Sequence, residues 1–138
     1  MDPGGGTGPD GGRIRRYGSG GPWERRFGYS RLVLAGPWAL VAGCTSTVDG
    51  QVVHAGDAGA QAREAIGIGL AALAAVGIGP AAVVRTRMYV TARADADAVG
   101  LAHAAAFGAA PPAATLVVVA GLLHPDHLVE VELEAYPG

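Results

Sequence analysis

Lysine is absent from this sequence of 138 residues, and all ten basic residues are arginine. Catalysis through a Schiff base on a lysine side chain is therefore excluded. Cys44 is the only cysteine, which excludes an intramolecular disulfide. The sequence has no run of eighteen apolar residues and no apolar signal-peptide core, so we predict a cytoplasmic protein that does not bind membranes.

Aromatic residues are also few, at 6% of the chain, whereas 50% of the residues are hydrophobic. This composition predicts one domain with a closely packed core of small side chains. Residues 1–26 carry five arginines and three acids, and residues 27–138 carry five arginines and nine acids. The two parts thus have net charges of +2 and −4, and the acidic larger part is a poor match for nucleic acid.

The chain begins with a glycine-rich segment that contains little apolar surface. Such a segment cannot offset the entropy lost on ordering. We therefore predict a flexible tail over residues 1–21 and a folded domain over residues 22–138.

Six strands and two helices are predicted, in the order βββ-α-β-α-β-β. Gly36-Pro37 and Asp49-Gly50 are turn signals that separate three short antiparallel strands. The first helix begins at Asp57 and ends near Val76, and the second ends at Phe107. Asp95 or Asp97 would cap the second helix.

The first helix contains Gly67 and Gly69, each of which costs about 1 kcal/mol relative to alanine. We interpret these glycines as positions where the helix approaches the sheet closely. A strand over residues 83–90 is predicted between the two helices, with Arg85 and Arg87 on one face.

The last two strands differ in pattern. Residues 115–120 are apolar on both faces, so both faces are expected to be buried. Residues 128–136 alternate, with valines and leucine on one face and three carboxylates in a row on the other: Glu130, Glu132 and Glu134. Because these carboxylates repel one another, we predict that the strand of Arg85 and Arg87 lies beside them, antiparallel.

Several segments resemble the Rid superfamily (reactive intermediate deaminase, or YjgF-like) over about residues 26–136. The resemblance rests on the order and spacing of these segments: Tyr29-Ser30, VAGCT, DAGAQAREAI, VVRTRMYVT, PPAATLVVVAGL and LVEVELEA. It implies a chorismate-mutase-like α+β fold in which one mixed sheet carries two helices on one face. It also implies a homotrimeric barrel with small-molecule clefts between subunits.

The sequence departs from the family pattern at one informative position. Deaminating members of this family carry an arginine after Pro-Ala that grips the substrate carboxylate, but here Pro112-Ala113 is followed by Ala114. The resemblance therefore implies an arginine-less branch. It also implies roles for Glu130, which would activate or position water, and for Tyr29 at the cleft entrance.

Further residues are candidates for lining the cleft. Cys44 is either a cleft residue or a small buried hydrophobe. Arg87 either replaces the missing clamp or pairs with the glutamates, and backbone amides near Ala114 and Thr115 would hold developing charge. The four histidines lack the spacing of a metal site, so neither a metal nor a cofactor is predicted.

Two functions remain open from the sequence. The first is an enzyme that acts on a small reactive imine or enamine by hydrolysis, tautomerisation or condensation, with Glu130 as the catalytic residue. The alternative is a non-catalytic small-molecule-binding or scaffold protein of the same fold. In both, the expected partners are a small molecule and two further copies of the chain.

Overall fold

A seven-stranded sheet forms the centre of the computed structural model, which describes residues 2–4 and 14–138. Its strands, together with those of a small separate hairpin, are β1 (Asp2–Gly4), β2 (Ile14–Gly18), β3 (Leu32–Ala35), β4 (Trp38–Cys44), β5 (Thr47–Val48), β6 (Gln51–Val52), β7 (Val83–Val90), β8 (Ala113–Val118) and β9 (Val129–Ala135).

The spatial order of the main sheet is β1-β2-β3-β4-β9-β7-β8. All neighbours are antiparallel except β7 and β8, which run parallel. The hairpin of β5 and β6 stands apart as a second sheet of two strands. Its turn has positive φ angles at Asp49 (50°) and Gly50 (77°), the conformation of a tight two-residue hairpin turn.

Three helices accompany the strands: α1 (Pro22–Phe27), α2 (Ala58–Ala74) and α3 (Ala96–Phe107). The carboxylate of Asp57 accepts a hydrogen bond from the amide of Ala60 at 3.0 Å, so Asp57 is the predicted N-cap of α2. Asp95 occupies the N-cap position of α3 without a side-chain capping bond. None of the helices within the described residues has the length and apolar character needed to cross a membrane.

Helices α2 and α3 pack together on one face of the sheet. A Cβ atom at Gly69 would lie 2.8 Å from Leu133 Cδ1, so glycine allows α2 to approach β9, as predicted. A Cβ atom at Gly67 would meet no atom within 4 Å, so the prediction is wrong for this second glycine. On α3, His103 Nε2 lies 2.7 Å from the hydroxyl of the fully buried Thr86, which ties this helix to β7.

The core lies between these two helices and the sheet, and neither α2 nor α3 covers the opposite face, which we call the open face. Alternate residues of β9 are buried under α2, namely Val129, Val131, Leu133 and Ala135. The glutamates between them point to the open face, where Trp38, Leu40 and Tyr136 are also exposed. The fold class is therefore the predicted α+β fold with a single main sheet and helices on one face.

Three further expectations differ from the structure. The predicted flexible tail is wrong for residues 2–4 and 14–18, because these residues form β1 and β2, which pair with each other, and β2 also pairs with β3. Residues 1 and 5–13 of that tail lie outside the described residues. The third predicted strand, near residue 51, forms the β5–β6 hairpin instead of joining the main sheet, because the turn at Asp49-Gly50 folds it back immediately.

The third difference concerns β8, which was expected to be buried on both faces. Strand β8 is an edge of the sheet, and Val117 and Val118 remain 42% and 50% exposed in the single chain. Within the part of the chain that the structure describes, only Leu116 of this strand is partly buried against the core, and the other residues of Ala113–Val118 are exposed.

Candidate functional site

The Glu130 carboxylate lies on the open face of the sheet, above an irregularity in the neighbouring strand. The register between β4 and β9 shifts between Val41 and Cys44. At this bulge, a Cβ atom on Gly43 would stand 2.7 Å from Oε1 of Glu130. Glycine is therefore what leaves room for the Glu130 side chain against the backbone of β4.

Arg31 holds the same bulge from the other side. Its Nη1 atom donates to the carbonyl oxygens of Ala42 at 2.9 Å and Gly43 at 2.8 Å, and lies 3.2 Å from Cys44 Sγ. The pairing of β3 with β4 fixes the position of Arg31 beside the bulge, because the amide of Ala42 donates a hydrogen bond to the carbonyl of Arg31 at 3.0 Å. One guanidinium thus contacts three consecutive residues of β4.

The electrostatic surroundings favour the protonated forms of two groups. Burial raises the pKa of Glu130, the neighbouring Glu132 raises it further, and the charge of Arg31 acts in the opposite direction. Burial also raises the pKa of the Cys44 thiol, although Arg31 partly offsets this effect. Glu130 is therefore suited to exchange protons nearer neutrality than an ordinary glutamate.

The rest of the glutamate row is paired, as predicted. Strand β7 runs antiparallel to β9, with Arg85 opposite Glu134 and Arg87 opposite Glu132. Nη1 of Arg87 lies 2.7 Å from Oε1 of Glu134 and 3.9 Å from Oε1 of Glu132. The hydroxyl of Tyr89 donates to Glu132, and this bond raises the pKa of Tyr89.

This pairing bears on the role suggested for Arg87. The pKa of Arg87 is raised first by its hydrogen bond to Glu134, so its guanidinium is already engaged by a carboxylate. In the single chain, Arg87 is therefore a partner of the glutamate row, which is one of the two roles that the sequence left open.

The remaining predicted site residues lie elsewhere in the single chain. Thr115 on β8 pairs with Arg87 and so faces the open side of the sheet. Ala114 pairs with the buried Thr86, so it faces the side that carries the helices. Ala114 and Glu130 are therefore on opposite faces of one sheet.

Tyr29 follows α1 and is 41% exposed. It lines an open cavity of about 1030 Å³ together with residues 18–22, Glu24, Arg25 and Arg26. Glu130 is not among the residues that line this cavity, so the cavity and the half-buried carboxylate are separate features.

Cys44 is 2% exposed and pairs with the buried Val131, so its thiol lies in the core under α2, as a small buried residue. The structure therefore places Glu130 beside the β4 bulge, but brings none of Tyr29, Cys44, Ala114 or Thr115 to its side chain in the single chain.

Two histidines form side-chain hydrogen bonds between separate elements of the fold. Besides His103, the Nε2 atom of His127 lies 3.0 Å from the hydroxyl of Thr47. Within residues 2–4 and 14–138, no group of three or more His, Cys, Asp or Glu side chains is arranged to hold a metal ion.

Sequence reasoning missed three residues that build the site. Arg31 and Gly43 act at the bulge of β4, and Gln61 anchors the segment that precedes Glu130. The buried amide of Gln61 accepts from the amide of Leu128 at 2.8 Å and donates to the carbonyl of Asp126 at 2.9 Å. A polar residue amid the small apolar residues of the predicted helix was the available signal for Gln61.

Similarity to known proteins agrees with this architecture. Residues 24–136 match the family Endoribonuclease L-PSP, which lies within the YjgF/Rid superfamily. Because this match spans most of the chain, the chain belongs to this family, and the predicted membership is confirmed.

Two relatives are similar along nearly their whole length. An uncharacterized protein of Streptomyces coelicolor is 42% identical over 125 residues, which are 91% of this chain and 93% of that protein. The crystal structure of a YjgF/YER057c/UK114 family member from Mycobacterium tuberculosis is 41% identical, with a TM-score of 0.80. That match covers 89% of this chain and 98% of the other.

A third similarity extends to a more distant member. The crystal structure of the YjgF gene product from E. coli is 26% identical, with a TM-score of 0.74. The match covers 89% of this chain and 94% of that chain. The fold is therefore shared with a family member that is only 26% identical in sequence.

Proposed function

We propose that this protein acts on a small reactive imine or enamine, or a related metabolite, by hydrolysis or by tautomerisation or condensation. The observation that carries the proposal is the half-buried Glu130 carboxylate beside Gly43 of the β4 bulge, whose pKa is raised by burial and by Glu132. A carboxylate in such surroundings is a suitable general base or water-positioning group. Family membership supports small-molecule processing in general terms.

In the hydrolytic version, Glu130 takes a proton from water as the water oxygen attacks the imine carbon. The C=N double bond becomes a single bond, its electron pair goes to nitrogen, and nitrogen takes from Glu130 the proton that came from water, which gives a carbinolamine. Glu130 then removes the proton of the carbinolamine hydroxyl and passes it to nitrogen as the C=O double bond forms and the C–N bond breaks. Ammonia and a carbonyl product leave, so atoms and charges balance without a cofactor.

The cleft in this proposal lies between the subunits of a homotrimer. Apolar side chains are exposed on the open face, at Trp38 and Leu40, and along the uncovered β8. Ala114 and Glu130 occupy opposite faces of one sheet, so a neighbouring copy is the means by which both could border the same cleft.

The alanine at position 114, where deaminating family members have arginine, can be tested directly. Alanine cannot bind a carboxylate, and Arg87 is engaged by Glu134. We expect the native protein to hydrolyse 2-aminoacrylate, generated in situ from serine, slowly or not at all. A hydrogen bond to a charged group contributes about 1.5–3 kcal/mol, so Ala114→Arg should raise the rate by about tenfold or more.

The control is the double variant Ala114→Arg with Glu130→Ala, in which the gain should disappear. Ammonia release or pyruvate formation reports the reaction. A native rate equal to that of an arginine-bearing family member would contradict the role assigned to residue 114.

The alternative is a non-catalytic binding or scaffold protein of the same fold, which the alanine at residue 114 favours. Glu130→Ala separates the two. An enzyme would lose turnover on every imine that it accepts, whereas a binding protein would show no turnover before or after the substitution and could still bind its ligand.

A further inference from the structure

Arg31 and Arg87 differ in the hydrogen-bond acceptors that surround their guanidinium groups. Arg87 is held by carboxylates, at 2.7 Å from Glu134. Arg31 is held by two backbone carbonyl oxygens, of Ala42 and Gly43, and by the thiol of Cys44. Among residues 14–138, no carboxylate oxygen lies within 4.0 Å of the Arg31 guanidinium.

The contacts of Arg31 fall at the point where β4 departs from regular pairing. A bulge leaves backbone groups without their usual ladder partners, and the Arg31 guanidinium supplies donors there. The two carbonyl oxygens belong to Ala42 and Gly43, and Gly43 is the residue against which the Glu130 side chain rests. The shape of the surface under Glu130 therefore depends on Arg31.

We propose that Arg31 is the positioning residue for Glu130: anchored on the carbonyl oxygens of the β4 bulge, it holds Gly43 beneath the carboxylate and places a positive charge beside it. This inference rests on the proposed function only for its consequence in catalysis. The placement itself can be measured without any substrate.

Glu130 is influenced from several elements, and Arg31 provides the favourable charge among them. Glu132 on the same strand raises the pKa of Glu130, whereas Arg31 lowers it. Cys44 on β4 and Tyr89 on β7 are the other titratable neighbours, and the charge of Glu130 raises the pKa of each. Removal of Arg31 should therefore move the titration of Glu130 to higher pH.

The experiment follows the side-chain carboxyl carbon of Glu130 by NMR in protein labelled with ¹³C-glutamate, with Glu130→Gln to assign the signal. We expect Arg31→Met to shift the titration to higher pH. Arg31→Gln keeps a donor for the carbonyl oxygens without the charge, and should shift it in the same direction. Arg31→Lys keeps the charge and should stay near the native titration.

Two further measurements separate positioning from a general loss of structure. Arg63→Met, an exposed arginine on α2, should leave the Glu130 titration unchanged. Amide hydrogen exchange at Gly43 and Cys44 should accelerate in Arg31→Met and, to a smaller degree, in Arg31→Lys. If Arg31→Met does not fold, the comparison of Arg31→Gln with Arg31→Lys gives the same test.

An unchanged Glu130 titration in both Arg31→Met and Arg31→Gln would overturn the proposal. Where turnover is observed, the acid limb of the pH–rate profile should move with the titration, and Arg31→Lys should restore it. A protein without turnover would count against the proposed function but would leave the titration result intact, so the two failures can be told apart.

Discussion

Glu130 places a carboxylate in half-buried surroundings with Glu132 on the same face of its strand. The folded protein therefore retains a proton on Glu130 at pH values where the unfolded chain has already released it. Between the ordinary value of 4.5 and the raised folded pKa, stability falls as pH increases, because the unfolded state is the one that binds fewer protons.

We accordingly expect Glu130→Gln to increase the free energy of unfolding at pH 7. The gain should shrink at a pH of about 3, where the carboxyl group is protonated in both states. Denaturant unfolding at the two pH values measures the difference. An equal gain at both would show that the charge of Glu130 is not the cause.

Gly43 offers a second test at the residue scale. Its φ angle is not in the left-handed region, so alanine is acceptable to the backbone, but the new Cβ atom would stand 2.7 Å from Glu130 Oε1. We expect Gly43→Ala to displace the Glu130 side chain and lower any turnover by about tenfold or more, at a cost in stability of about 1 kcal/mol or less.

Gly67→Ala is the matched control, because a Cβ atom there meets nothing within 4 Å on the outer face of α2. It should stabilise the protein by up to about 1 kcal/mol and leave turnover unchanged. If the two alanine variants behaved alike, the contact between Gly43 and Glu130 would not matter for the site.

At the scale of elements, Gln61 joins α2 to the loop before β9. It is fully buried, and besides its bonds to Asp126 and Leu128 it donates to the carbonyl of His54 at 3.2 Å. Substitution by leucine would remove three hydrogen bonds to backbone groups, although the His54 carbonyl would keep its bond from the Asp57 amide. Each lost hydrogen bond costs about 0.5–1.5 kcal/mol, and the misfit of the leucine side chain adds to this cost. The loop before Glu130 therefore depends on one side chain of α2.

We expect Gln61→Leu to lower the free energy of unfolding by about 2–4 kcal/mol and to accelerate hydrogen exchange at the Leu128 amide. Arg63→Gln, on the exposed face of the same helix, should change stability by about 0.5 kcal/mol or less. Protection at Leu128 that survives Gln61→Leu would mean that another contact fixes the loop.

The elements differ in how well the sequence predicts them, for physical reasons. Strand β7 and helix α2 follow from alternation and from a capping aspartate, which are local signals. Strand β2 was missed because glycines surround it and its order comes from pairing with β3, a tertiary contact. Likewise, Glu130 could be placed on its strand face, but Arg31 could not be linked to it, because the link requires the bulge in β4.

At the scale of the whole molecule, the open sheet face and the uncovered β8 leave apolar surface that a homotrimer would bury. We expect light scattering at micromolar concentration to give about three times the chain mass of 13.7 kDa. Val118→Lys should shift the protein towards monomer. The charged lysine is solvated at the exposed edge of the single chain, but its burial in a subunit interface would cost free energy.

Leu101→Lys is the control for this substitution, because Leu101 is 73% exposed on α3, away from the open sheet face. It should leave the mass unchanged. A native protein that scatters as a monomer would remove both the trimer and the proposed cleft between subunits.

The uncovered position of β8 also has a consequence for the newly synthesised chain. The outer edge of this strand presents backbone donors and acceptors beside valine side chains, and such an edge can pair with strands of unrelated chains. Assembly with other copies of the chain, which would cover this edge, depends on protein concentration. The edge itself is exposed as soon as the sheet forms. Refolding yield should therefore pass through a maximum, with unassembled chains at low concentration and promiscuous aggregation at high concentration.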